Sequence, residues 1–332
     1  KGGSTALFGY ISRHGHVRPS VCKETNFFTD TEKLVQGLSY YARHFPDNSK
    51  KGLRHMITGE GTPNYVRNPW APLRIYKMLL KKNPDLKIII SLRDPVERFL
   101  SHYVGQVVNL GLTDSCHQFF SKDLEKFEDC DSADNPFQDL LSGKSTNRKL
   151  GNLDHLLSQF SSNRNESMGN KFVIGLDYES SKKEKALCYV DQDHSQFSLS
   201  AEGLDPYSCS MHACIFRRFD SPLSRGVYVD QLERWLEFFP AEQIHIVQAE
   251  RLYENTDQTM QEVAEFLGLR PYFPQELAEF KSTFRGSEHK KNPLHETCNM
   301  EVIREFYEPY NEMLYSLLEK NWPEIAATWN PW

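Results

Sequence analysis

The sequence predicts an α/β fold built on a mainly parallel sheet, and three observations carry that prediction. Lys87-Ile88-Ile89-Ile90-Ser91-Leu92 is a continuous, largely β-branched run, the pattern of a strand buried on both faces in a parallel sheet. A second run of this kind spans Ile244 to Ala249. Around both runs the apolar spacing is helical, and strands alternating with helices indicate parallel pairing. The 332 residues are 39% hydrophobic and 25% charged, enough to bury a sizeable core. That excludes a disordered polyelectrolyte and a collagen-like repeat. No run approaches the ~18 consecutive apolar residues of a membrane span. With 39 Lys+Arg against 45 Asp+Glu, the net charge is −6. No global basic field advertises nucleic acid, so a polyanionic partner must be met by a local patch.

The elements follow in order. Lys1-Gly2-Gly3-Ser4-Thr5 leads into a helix from Ser4 to His14, with Leu7, Tyr10, Ile11 and His14 on one face. Val17 to Cys22 reads as a short strand, followed by Lys23-Glu24-Thr25-Asn26-Phe27-Phe28. His55 to Thr58 is another candidate strand, ending in Gly59-Glu60-Gly61-Thr62-Pro63, and Leu73 to Lys82 is helical and basic. After the buried strand, Asp94 suits an N-cap, Pro95 the first helical position and Glu97 the third, which predicts a helix opened by a capping box.

From 109 to 225 the periodicity fades into Asp, Ser, Asn and Lys, and five of the seven cysteines lie there. This stretch reads as a polar insertion within a single domain covering 1–332. Leu232, Trp235, Leu236 and Phe239 then mark an amphipathic helix, Met260, Val263 and Leu267 another. Met300, Ile303, Tyr307, Leu314 and Leu317 mark a long C-terminal helix.

Cysteines 22, 116, 130, 188, 209, 214 and 298 show no CxxC pair and no Cys/His ligand spacing, so no metal is expected. They are either free thiols or form one to three disulfides of a lumenal protein. In the second case Cys116 with Cys130, or Cys209 with Cys214, are candidate loop closures. Asn165-Glu166-Ser167 is an N-glycosylation sequon. Arg13, His14, His16 and Arg18 line either a polyanion cleft or a solvated helix end.

The opening loop has the composition of an anion cradle. Gly2 and Gly3 let the backbone approach a phosphate, N–H groups at the helix start point at it, and Ser4 and Thr5 add hydroxyls. It is not a Walker A motif, because Lys1 precedes the glycines. Arg93 follows the strongest strand, at the end where open α/β sheets bind ligands, and Ser101 lies two turns into the next helix. Together they can hold a second phosphate; alternatively Arg93 pairs with Asp94 or Glu97 on the surface.

These residues carry a resemblance. Lys1-Gly2-Gly3-Ser4-Thr5 is similar to the 5′-phosphosulfate loop of sulfotransferases that use 3′-phosphoadenosine 5′-phosphosulfate. Arg93-Asp94-Pro95-Val96-Glu97-Arg98-Phe99-Leu100-Ser101 resembles their 3′-phosphate motif, with arginine and serine at the family spacing. Lys23-Glu24 with Phe27-Phe28, Thr62-Pro63-Asn64-Tyr65, and Arg225-Gly226-Val227-Tyr228 leading to Trp235 extend the likeness. So do Phe266-Leu267-Gly268-Leu269 and Phe306-Tyr307-Glu308-Pro309-Tyr310. The likeness is to the Golgi heparan sulfate 3-O- and N-sulfotransferase group and related carbohydrate sulfotransferases. The family's late basic loop is present as Arg285-Gly286-Ser287, without its second basic residue, which Lys290 or Lys291 would replace. The lysine often found before Thr-Pro is Gly61.

The resemblance implies a P-loop-like three-layer fold and sulfuryl transfer from that donor, without a metal, to a carbohydrate hydroxyl on a polyanionic acceptor. A small-molecule alcohol, amine or tyrosine acceptor, and an inactive polyanion-binding protein, are the alternatives. It assigns Lys1 to the leaving phosphate and Glu24 to proton removal, beside desolvating Phe27 and Phe28. Lys1, Gly2, Gly3, Ser4, Thr5, Arg93, Ser101, Arg285 and Gly286 fall to the donor, and Lys23, Arg18 and Thr62 to the acceptor. A phosphosulfate loop is fed by a strand, so a strand is expected before Lys1, in a segment where a membrane anchor would also lie. The expected location is the Golgi lumen, as part of a type II membrane glycoprotein.

Overall fold

The computed structural model describes residues 2–50, 52–53, 55–128, 221–277 and 297–332. The chain falls into two compact units, Lys1–Asp123 with Pro222–Trp332, and Leu124–Ser221. Most of the second unit, and so most of the expected insertion, lies outside the described residues.

In the first unit, β1 (Ile88–Leu92) and β2 (Ile244–Gln248) pair in parallel, with Ile88 opposite Ile244 and Leu92 opposite Gln248. The sheet is covered on both faces, as its unbroken apolar runs require. Ile89 and Val247 pack with Ala6, Leu7 and Tyr10 of α1 (Ser4–Arg13) and with Leu252, Met260, Val263 and Ala264. On the opposite face Ile90, Leu92, Ile244 and Ile246 are at most 4% exposed. Each such side chain contributes about 1.5–3 kcal/mol on burial.

The strands expected at 17–22 and 55–58 reduce to one parallel bridge between Val17 and Ile57. Ile57 N–H donates to His16 O at 3.0 Å and Arg18 N–H to Ile57 O at 2.9 Å. Ser20 N–H still reaches Gly59 O at 3.1 Å, but Val21 N–H then turns to His44 O at 2.8 Å, and Val21 ends 88% exposed. His14 is neither cleft nor wet surface, being 1% exposed. Its Nδ1 accepts from His16 N–H and its Nε2 donates to Arg270 O, both at 3.0 Å, and burial lowers its pKa.

Short helices α2 (Thr31–Leu34), α3 (Gly37–Ala42) and α4 (Asn64–Arg67) precede α5 (Ala71–Ile75), which continues as a π-turn, Tyr76–Leu80. The helix after β1, α6 (Pro95–Leu110), starts on Asp94, whose carboxylate accepts from Val96 N–H at 2.8 Å and Glu97 N–H at 3.4 Å. The reciprocal half of the capping box is made by a different residue. Asp94 N–H goes to Glu250 at 3.0 Å, while Glu97 turns to Arg93. A bond from the segment after β2 thus ties the two strand ends together.

Helix α7 (Cys116–Glu128) begins on a disulfide between Cys116 and Cys298, Cα atoms 4.9 Å apart. The expected pairing of Cys116 with Cys130 is therefore corrected. Local spacing ranks short loop closures, whereas this bridge joins residues 182 apart that only folding brings together. Cys209 and Cys214 lie outside the described residues, and Cys22 is an exposed thiol.

Helix α8 (Tyr228–Leu236) buries Leu232 and Trp235 as expected. After β2 come α9 (Ala249–Glu254), α10 (Thr256–Phe266), the long α11 (Met300–Asn321) and α12 (Pro323–Ala326). Along α11 the buried face is Ile303, Tyr307, Asn311, Leu314 and Leu318. Leu318 replaces the expected Leu317 because it continues the 3.6-residue period from Leu314. Gly226 packs against Tyr307, and a Cβ there would lie 2.7 Å from the ring. Tyr307 is itself fully buried, its hydroxyl donating to Leu223 O at 2.9 Å. Gly226→Ala is therefore expected to destabilise the fold by about 1–3 kcal/mol through overpacking; denaturant midpoints of the two proteins would measure it.

Candidate functional site

Two clusters of the residues singled out above form along α1. The first lies at the carboxyl ends of β1 and β2. Ser91, on β1, donates its hydroxyl to Gly2 O, and a Cβ on Gly2 would stand 3.3 Å from Ser91 O. Gly3 has φ +73°, and a Cβ there would meet Ala249 at 3.4 Å and the Tyr253 hydroxyl at 3.5 Å. Gly2 thus lies tight against the strand end, and at Gly3 the left-handed φ, rather than lack of space, favours glycine. Gly3 is also the N-cap of α1, with Leu7 N–H donating to Gly3 O at 3.0 Å. The first-turn N–H groups, beside part-buried Ser4 and exposed Thr5, have no intrahelical acceptor and suit an anion.

Arg93 emerges from β1 at the same end. Its side chain is 13% exposed and its guanidinium lies 3.2 Å from Glu97. The surface pairing weighed from sequence is thus present, and a phosphate there competes with Glu97 for the guanidinium. Arg93 O accepts the Tyr228 hydroxyl at 2.8 Å, which fixes the backbone. Ser101 follows Glu97 by four residues and shares its helix face. Tyr253 joins this cluster. Its hydroxyl faces Gly3, and burial raises its pKa while the charge of Arg93 opposes the rise. A single tyrosine after a strand carries no motif.

The second cluster is the Lys23–Glu24 loop. Lys23 Nζ lies 2.5 Å from Glu24 Oε1, and the side chains are 22% and 42% exposed. Phe27 and Phe28 do not blanket Glu24. They are at most 1% exposed and pack on each other, on Tyr41 and, for Phe28, on Tyr65. Asn26, at φ +53°, turns the chain between the exposed carboxylate and the buried rings, a conformation asparagine tolerates better than most residues. The expected desolvation of Glu24 by these two rings is corrected accordingly: their apolar area is spent in the core.

Gly61 joins this loop to α1. Its N–H donates to Lys23 O at 2.7 Å, and a Cβ on it would lie 2.9 Å from the Phe8 ring. Phe8 stands one turn beyond Ser4, so the contact brings the Lys23–Glu24 loop to the start of α1. It also accounts for the missing family lysine, since any side chain at 61 meets Phe8.

Glu60, which has no motif of its own beyond its place before Gly61-Thr62-Pro63, is the hub of the second cluster. One of its oxygens accepts from Thr25 Oγ1 at 2.6 Å, Tyr65 OH at 2.7 Å and Tyr41 OH at 3.1 Å. The other accepts from Thr62 Oγ1 and from Thr25 N–H at 3.3 Å. Thr62 is 8% exposed, and its hydroxyl also accepts from Asn26 N–H at 3.1 Å. Its polar atom is engaged inside the protein. Arg18 donates to Asp47 O at 2.8 Å and to Asn48 Oδ1 at 2.7 Å. His102 is a poor base: burial, then Arg225, push its pKa down to about 3. Lys1, Arg285, Gly286, Lys290 and Lys291 lie outside the described residues.

Comparison with known proteins adds an independent line. Residues 192–310 match the sulfotransferase domain, a span that excludes the glycine loop and Arg93. Alignments to whole proteins cover nearly the full chain. It is 25% identical to the membrane-associated sulfotransferase kil1 of Dictyostelium discoideum, over 97% of this chain and 64% of that protein. It is 22% identical to heparan sulfate glucosamine 3-O-sulfotransferase 5 of Mus musculus, over 97% and 71%. With the 3B1 enzyme of the same species it shares 25%, over 96% and 60%. The chain thus spans less than two thirds of two of these relatives. A sulfotransferase structure from Alicyclobacillus acidocaldarius shares the fold, with a TM-score of 0.51 at 18% identity over 96% of this chain and 92% of that one. Motifs, domain match and relatives agree: the chain carries a match to the sulfotransferase domain over 192–310 and is similar to sulfotransferases along nearly its whole length.

Proposed function

We propose that the chain transfers a sulfuryl group from 3′-phosphoadenosine 5′-phosphosulfate to a hydroxyl of a carbohydrate, a polysaccharide of the glycosaminoglycan kind. The single observation that carries this reading is the juxtaposition along α1: a glycine cradle beside Arg93 at one end, and an accessible Lys–Glu pair braced through Gly61 on Phe8. The acceptor class rests on relatives named as heparan sulfate glucosamine 3-O-sulfotransferases. The reading includes a P-loop-like three-layer domain over 1–332 with an insertion at 109–225, acting in the Golgi lumen. No described helix is long and apolar enough to cross a membrane.

What supports the donor is a pair of glycines that lay the loop against the strand ends, a helix start, and an arginine at the end of β1. When bound, the donor supplies a sulfuryl group on a 5′-phosphate leaving group. Gly2, Gly3, Ser4 and Thr5 hold that phosphate by backbone N–H and hydroxyl donors, and Lys1 neutralises the charge that develops on it. Arg93 and Ser101 bind the 3′-phosphate, with Arg285 and Gly286 on the same side. Glu24 takes the acceptor proton. Lys23 and Arg18 face the acceptor's anionic groups, and Thr62 braces the loop that carries Glu24.

Incubation with labelled donor and a panel of heparan, chondroitin and dermatan sulfates, simple alcohols, amines and tyrosine peptides, read by mass spectrometry, tests the proposal. Label on a polysaccharide hydroxyl is expected. Label only on a small acceptor would replace the carbohydrate by that class. Polysaccharide binding without transfer would make the chain an inactive polyanion-binding protein.

A further inference from the structure

We infer that Glu60 is a positioning residue for the Lys23–Glu24 pair, an inference that rests on the reading of Glu24 as the proton acceptor. The two carboxylates sit in the same loop cluster with opposite environments. Glu60 receives five hydrogen bonds, three on one oxygen and two on the other. A carboxylate offers about four lone-pair sites, so Glu60 has no acceptor capacity left for a substrate proton. Glu24 is 42% exposed and bonded by Lys23 Nζ on one oxygen. Proton removal therefore falls to Glu24, and Glu60 acts only through what it holds.

What it holds is the loop on either side of Glu24. Thr25, the next residue, gives Glu60 both its N–H and its hydroxyl. Lys23, the residue before, is held through its carbonyl by Gly61 N–H, the residue after Glu60. Thr62 carries the same strap onward to Asn26 N–H, and Lys33 Nζ takes the Thr25 carbonyl at 2.9 Å. The backbone of residues 23–26 is thereby clamped at each residue except Glu24 itself, whose side chain stays accessible. Tyr41 and Tyr65 close the far side of Glu60. Burial and then the Glu60 charge raise both phenol pKa values, which keeps the hydroxyls protonated as donors.

The test uses the full chain, the product adenosine 3′,5′-bisphosphate as active-site titrant, and the first polysaccharide of the panel that the wild type sulfates, heparan sulfate being tried first. Glu60→Gln preserves shape but lacks one acceptor oxygen. It is expected to lower kcat per product-binding site by about 10–100-fold, as loss of supporting contacts around a reacting group does, with donor KM and product Kd unchanged. Thr25→Val removes one strut at nearly constant volume and is expected to lower kcat in the same sense, while Thr25→Ser restores it. A purely structural role would reduce the fraction of protein that binds product, or its unfolding midpoint, and leave kcat per site at the wild-type value. That outcome for Glu60→Gln overturns the inference; should Glu60→Gln fail to fold, wild-type kcat in Thr25→Val overturns it equally. Glu24→Gln in the same assay separates the two ideas. If it turns over normally the proton-acceptor reading fails, whereas an inactive Glu24→Gln beside a fully active Glu60→Gln removes the positioning role alone.

Discussion

Glu24→Gln is expected to lower turnover by about 10²–10⁴-fold, the range that a positioned general base contributes, while binding of adenosine 3′,5′-bisphosphate stays nearly unchanged. The split follows from geometry. Glu24 belongs to the loop braced by Glu60 and Gly61, whereas the glycine cradle and Arg93 occupy the strand ends of β1 and β2. Glutamine keeps the shape and the Lys23 contact and removes only the proton-accepting charge. At 42% exposure, with one surface ion pair, the substitution costs the fold less than about 1 kcal/mol, so a loss of activity reads as chemistry. Single-turnover kinetics with labelled donor, alongside calorimetric binding of the bisphosphate, measure both halves. Full activity in the variant would remove Glu24 as the base.

Arg93→Ala is expected to weaken bisphosphate binding by at least about 10²-fold, because charge-assisted hydrogen bonds to a phosphate contribute roughly 1.5–3 kcal/mol each. The Arg93–Glu97 pair at 3.2 Å adds a second, opposite expectation. Glu97 competes with the phosphate for the guanidinium, so Glu97→Gln is expected to tighten binding. An unchanged dissociation constant in Arg93→Ala would sink the 3′-phosphate assignment. Tightening in Glu97→Gln that disappears in the double variant would tie the effect to Arg93 itself.

Much of this architecture is legible in residues that act locally. The β-branched run at 88–92 announces a strand buried on both faces, and Asp94 with Pro95 announces the helix that follows. Both readings hold because their causes lie within a few residues. The strands expected at 17–22 and 55–58 reduce to one bridge as the chain leaves the pairing, Val21 N–H bonding His44 O, a partner that local spacing does not indicate. The pairing of Cys116 with Cys298 was not visible, because sequence spacing carries no information about partners 182 residues apart.

The candidate site divides in the same way. Lys23, Glu24, Arg93 and Ser101 could be named from their chemistry and order along the chain. Their surroundings could not. Glu60, Tyr41 and Tyr253 carry no motif of their own and acquire meaning only from what faces them, as does the Tyr65 hydroxyl.

By itself, then, the sequence determined the α/β class, the cap of α6 on Asp94, the helix that follows the opening glycines and the likeness those motifs carry. All of these depend on backbone geometry and short-range chemistry. Only the tertiary structure decided that Phe27 and Phe28 serve the core and leave Glu24 open, that Gly61 is small because Phe8 abuts it, and that Glu250 completes the cap of α6. It also decided that Glu60 rather than solvent satisfies Thr25. Those are outcomes of packing, where each side chain's role is set by distant residues competing for the same space and the same hydrogen bonds.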